Sequence, residues 1–168
     1  MTCGILSTYD ALHKLSSEAS QIVRFVYFRS LPRAEQDLGP MKNKLGQLGD
    51  VGRGFYDSMR GVYTAAKEKD TSSFFIKLYR NSDPKDILLL SDKFKQEAYR
   101  MTTDDYERGF LIGWEIISKT LSELKTAYPE YPLKDIVPTP SKTGEAEEQS
   151  DFEVQPRKKP KAAQGKAD

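Results

Sequence analysis

"MKNKLGQLGDVGRGFYDSMRGVYTAAK", residues 41–67, is the stretch whose reading decides the fold. Met41, Leu45, Leu48, Phe55, Met59, Val62 and Ala66 recur at three- and four-residue steps, and Gly52 fills the place between Leu48 and Phe55. That spacing draws one apolar stripe along a helix. Gly46, Gly49, Gly52, Gly54 and Gly61 oppose it, because each glycine costs about 1 kcal/mol relative to alanine inside a helix. Two readings reconcile the pattern. Either Gly46, Gly49 and Gly52 form a small-residue face that another backbone approaches closely, or the helix breaks between Gly49 and Gly54 and restarts at Phe55. The break is the favoured expectation.

Toward the N-terminus, Ser7 to Leu31 reads as one helix. Ser7 is placed to cap it, with Asp10 three residues on in the capping-box position. Leu12, Leu15, Ala19, Ile22 and Val26 share one face. Pro32 is expected to stop this helix, which makes "PRAEQDLGP", Pro32–Pro40, a connector.

Toward the C-terminus, a short helix is expected over Ser72 to Tyr79. "NSDPKD" then opens another: Asp83 as N-cap, Pro84 at the first helical position and Asp86 in the first turn. It runs to about Met101, with Ile87, Leu90, Phe94, Ala98 and Met101 as its buried edge. Thr103 caps the last helix, where Tyr106, Phe110, Gly113, Ile117, Leu121 and Leu124 keep the repeat. Leu111 and Trp114 widen that stripe, which predicts a central helix ending at Pro129.

"YPEYPLKDIVPTP" has four prolines in thirteen residues, so neither helix nor central strand fits it. Its Tyr131, Leu133, Ile136 and Val137 predict an extended strap laid on the body. From Ser141 periodicity stops and apolar content falls, the composition of disorder. The expected architecture is all-α: a four- to five-helix, bundle-like domain of coiled-coil-like helices over residues 1–140, with a Pro-rich strap. A disordered tail follows over 141–168, acidic at 145–153 and basic at 157–166.

The 26 basic and 25 acidic side chains nearly cancel, so bulk charge recruits neither nucleic acid nor a membrane, and targeting must come from local sorting of charge. Cys3 is the single cysteine, which rules out an intrachain disulfide and fits a reducing, intracellular setting, cytoplasmic or nuclear. The start "MTCGILSTYD" does not read as a signal peptide. No run approaches the roughly 20 apolar residues of a membrane span.

Chemistry finds little to stand on. His13 is the only histidine, and with Cys3 it reads as a solvated helix residue beside a mobile terminal thiol. "GQLGDVGRG" lacks the Lys–Ser/Thr of a phosphate loop and follows no strand. Asp104 and Asp105 are adjacent, hence about 100° apart on a helix, and capping accounts for them. The expectation is a protein that is not an enzyme and holds no cofactor or metal. A carboxylate-dependent enzyme is a distant alternative.

Two stretches interleave rings with cations, "RFVYFR" (Arg24 to Arg29) and "FFIKLYR" (Phe74 to Arg80). Most of these rings read as core with arginines at its rim. As a contact patch they nominate Arg24, Phe28, Arg29, Lys77 and Arg80. In the tail, "PRKKPK" nominates Arg157, Lys158, Lys159 and Lys161 for a polyanion contact, and it also resembles a nuclear-import signal. Phe152, alone among acids, is a candidate linear-motif anchor. The leading functional expectation is a binding or assembly protein whose body docks a protein partner or self-associates, with the tail as a second contact. A nucleic-acid-binding protein is the alternative.

Overall fold

The computed structural model of the protein describes residues 3–129, with side chains from residue 8 onward. The strap, the tail and its nominated Phe152, Arg157, Lys158, Lys159 and Lys161 lie outside the described residues, as does the Cys3 side chain. The described part is all-helical: α1 (Cys3–Lys14), α2 (Ser16–Tyr27), α3 (Leu31–Gly46), α4 (Gly49–Lys67), α5 (Phe74–Asn81), α6 (Pro84–Ala98) and α7 (Asp105–Ala127).

Among the described residues seven helices replace the four or five expected, for two reasons. The first long segment is interrupted at Leu15, whose N–H reaches back to the Leu12 carbonyl at 3.0 Å, one tightened turn before α2 begins. Leu12, Ala19, Ile22 and Val26 stay buried on both sides of the interruption, so the stripe survives the bend. The second reason is α3, which occupies the expected connector. Pro32 sits in its first turn, where no N–H is missed, so that proline starts a helix as well as following one. Pro40 lies inside α3 but faces solvent. The opposite face buries Ala34, Leu38, Met41 and Leu45, which offsets the roughly 3 kcal/mol of an interior proline.

The glycine stretch resolves into parts of both readings. The chain does break, but at Gln47–Leu48 rather than between Gly49 and Gly54. Gly49 opens α4 at φ 64°, a left-handed conformation suited to glycine. Helix α4 then runs through Gly52, Gly54 and Phe55 without restarting. Gly52 and Gly54 are the close-approach residues: a Cβ on Gly52 would overlap the Leu45 carbonyl of α3, and one on Gly54 the Tyr106 carbonyl of α7.

Helix α7 is central, as its wide stripe predicts. It packs on α4 along one side and on α6 along another, while α2 lies against both α7 and α4. Gly109 and Gly113, four residues apart and so on one face, let α4 in. A Cβ on Gly109 would strike the Val51 carbonyl, and one on Gly113 the Ser58 hydroxyl. Ser58 itself is buried and donates to the Phe55 carbonyl at 2.6 Å. Phe55, fully buried beside this crossing, contributes about 1.5–3 kcal/mol through the area it removes from water.

The sequence places the starts of α5, α6 and α7 to within two residues, whereas Ser7, expected to cap the first helix, lies inside α1. Asp83 precedes α6 as expected, though its side chain makes no capping bond. Asp104, not Thr103, caps α7 by accepting from the Glu107 N–H at 2.7 Å. Thr103 donates instead to the Glu97 carbonyl at the end of α6. Met101, expected in the buried edge of α6, is fully exposed. The helix ends at Ala98, and Arg108 bonds the Ala98 and Thr103 carbonyls, at 3.1 and 2.9 Å, to close the loop without methionine.

Candidate functional site

At the end of the bundle where α7 finishes, the two ring-and-cation stretches meet. Tyr27 of α2 is fully buried. Its ring stands edge-on to Phe28 at 5.4 Å and to Tyr79 of α5 at 5.9 Å. Phe28 in turn stands edge-on to Tyr128 at 5.2 Å. The Tyr27 hydroxyl donates to the Tyr128 carbonyl at 2.6 Å, and burial pushes its phenol up to about 12. Edge-to-face rings of this kind add stabilisation beyond their area. Four rings from α2, α5 and the end of α7 thus form one cluster.

Cations edge the cluster in different ways. Arg29 is the residue after the α2 cap, Phe28, and it holds φ at 60°. The Arg29 N–H bonds the Val26 carbonyl and the Ser30 N–H bonds the Phe25 carbonyl, which closes α2 in the motif that glycine normally serves. Its guanidinium crosses to the end of α4 and donates to the Ala66 carbonyl at 2.7 Å. Lys69, the residue after the α4 cap, is also left-handed, at φ 54°. Two cationic residues therefore hold a conformation that costs roughly 1–2 kcal/mol for a residue with a Cβ. Lys125 of α7 is partly buried against Tyr79, 5.1 Å from the ring centre. It donates to the Tyr79 and Ser82 carbonyls at 2.6 Å each, and burial holds its ammonium below the usual lysine range.

The nominated residues separate on this frame. Phe28 joins Tyr79 in the ring cluster through Tyr27, Arg29 turns to the end of α4, and Arg80 is exposed and follows Tyr79 on α5. Arg24 lies 3.7 Å from Glu123 of α7, an exposed and loose pair. Lys77 is exposed but falls on the opposite side of α5 from Tyr79 at 100° per residue; its charge helps to lower the Asp70 carboxyl, which is set chiefly by the Ser72 hydroxyl. Of the rings in the two stretches, Phe75 and Tyr27 are core, Phe25, Phe28 and Tyr79 are half-buried, and Phe74 is 49% exposed. Lys125, Lys69 and Tyr128 were not nominated. Only contacts between distant segments distinguish Lys125 and Tyr128 from other surface residues, and only its backbone conformation distinguishes Lys69.

The acids do not assemble. Asp57 accepts from the Tyr106 hydroxyl at 2.9 Å in an open groove, Asp104 caps α7, and Asp105 pairs with Arg108 at 2.9 Å. Among the described residues no group of three His, Cys, Asp or Glu side chains is placed to hold a metal ion. A narrower cleft of about 230 Å³ lies between α1–α2 and α7, lined by His13, Ser16, Ser20, Glu115, Lys119 and Glu123 among others. Glu115 is the perturbed group there: burial raises its carboxyl, while Lys95, His13 and Lys119 pull it back down. No described helix is long and apolar enough to cross a membrane.

No protein-family model matches the chain, and no curated protein or solved structure matches it either.

Proposed function

We propose that this is a non-enzymatic binding and assembly protein. The aromatic, cation-edged end of the helical body docks a protein partner, and the charged tail adds a second contact. The observation that carries this reading is the meeting of Arg24–Arg29 and Phe74–Arg80, distant in sequence, through the Tyr27–Tyr79 ring contact. Aromatic side chains beside arginine are the usual anchors of a protein interface. A second, weaker contact tethered next to the first raises overall avidity without any new surface on the body.

Affinity capture tests it, using the full chain, a full-length R24E/R80E variant and a full-length K158E/K159E variant, each with and without nuclease. Either variant is expected to weaken capture of the same protein, and nuclease is expected to leave it unchanged. Capture that disappears with nuclease assigns the surface to nucleic acid instead. Capture that ignores both variants overturns the proposal.

A further inference from the structure

Helix α6 carries two exposed leucines side by side: Leu88 keeps 46% of its surface in solvent and Leu89 keeps 60%. Ile87, Ser91 and Ala98 turn inward. At 100° per residue the outer face is Lys85, Leu88, Leu89, Asp92 and Gln96, a strip about 100° wide. All five are exposed. Among the described residues neither Lys85 nor Asp92 is in an ion pair.

The strip has an internal symmetry. Lys85 lies three residues before Leu88, and Asp92 lies three residues after Leu89. Reflected through the Leu88–Leu89 peptide bond, each leucine falls on the other and each charge falls on its opposite. A second α6 laid antiparallel about a two-fold axis at that bond therefore sets Leu88 against Leu89 of the second copy. The same axis sets Lys85 against Asp92 of the second copy, and both contacts occur twice. That self-complementarity is what a two-fold interface between identical chains requires. A parallel pairing would oppose lysine to lysine and aspartate to aspartate, so the charges also select the direction.

We propose that the protein self-associates through the outer face of α6, antiparallel, with a second copy of this chain as the occupant. The proposal specifies a partner within the assembly reading above, but it uses a different face from the aromatic end.

Sedimentation equilibrium over a concentration series tests it, with full-length wild type, K85D and D92K. The wild type associates. Each single variant places like charges opposite one another at both contacts and weakens association at least about tenfold. An equimolar mixture of K85D and D92K regains it, because a mixed pair opposes opposite charges at both contacts. Helical circular dichroism confirms that each variant remains folded. A wild type that stays monomeric throughout overturns the proposal, as do single variants that associate like wild type or a mixture no better than its components. Any of these results leaves capture through Arg24 and Arg80 intact, so the two readings fail separately.

Discussion

Gly109 of α7 faces the Val51 carbonyl of α4 so closely that a methyl at position 109 would fall on that oxygen. Gly54 meets the Tyr106 carbonyl at the same crossing. Backbone cannot yield as a flexible side chain can, so G109A is expected to cost about 3 kcal/mol or more, the upper end of overpacking. Gly61 is the control. It is exposed on α4 with nothing within 4 Å of a built Cβ, so G61A is expected to stabilise by about 0.5–1 kcal/mol. Urea unfolding of both variants checks the pair. A G109A protein as stable as wild type would mean that α4 and α7 do not touch there.

That crossing also shows what could be read without coordinates. Helical class, the central place of α7 and the starts of α6 and α7 follow from apolar spacing and from the Asp–Pro and Asp–Asp starts, which are local signals. The fate of the glycines is not local. Gly46 and Gly61 face open space, whereas Gly52, Gly54, Gly109 and Gly113 face another helix. The difference lies in what approaches, not in the flanking residues. The four-residue spacing of Gly109 and Gly113 was the available clue. Helix α3 was missed because Pro32 and Pro40 read as boundaries, while the stripe Ala34, Leu38, Met41, Leu45 between and beyond them was the stronger fact. At the candidate site the two ring-and-cation stretches were legible one by one. Their meeting through Tyr27, Tyr79 and Tyr128 depends on tertiary packing.

Arg29 and Arg80 are predicted to part company under mutation. R29A loses the bond to the Ala66 carbonyl yet keeps the left-handed backbone, a loss of about 1–2 kcal/mol. R29G loses the same bond but relieves roughly 1 kcal/mol of backbone cost, so it should fall close to wild type. R80A, at an exposed position, should stay within about 0.5 kcal/mol of wild type while weakening partner capture. Denaturation midpoints for the three variants check this. Equal losses in R29A and R29G would show that the left-handed conformation is not what separates them.

Lys125 is expected to be structural rather than part of the contact. Its ammonium serves two carbonyls, of Tyr79 and Ser82, that tie the end of α5 to α7. K125M keeps the stem in place and removes the donor, leaving both carbonyls to find water. The expected loss is about 2 kcal/mol, with capture of a partner unchanged once the variant is folded. Thermal unfolding alongside the capture assay separates these effects. A K125M protein of full stability that fails in capture would move Lys125 into the contact surface.

Glu115 gives the fold a pH dependence whose sign can be stated. Its Oε2 is buried with no hydrogen-bond partner among the described residues. Tyr9 and His13 of α1, Asp92 and Lys95 of α6, and Lys119 of α7 surround it electrostatically. Burial dominates, so the folded carboxyl holds its proton to higher pH than in the unfolded chain. Between those two values the folded state binds more protons, and stability falls as pH rises through that window. Above the window the full cost of an ionised, half-buried carboxylate is present; below it the cost is gone. E115Q is neutral throughout, so it should be more stable than wild type at neutral pH, with the gap narrowing as the pH falls. Groups common to both proteins largely cancel in the difference. Tm measured for both proteins from pH 4 to pH 7 checks it. A gap that stays constant over that range would show that Glu115 is ionised and well solvated in the folded protein.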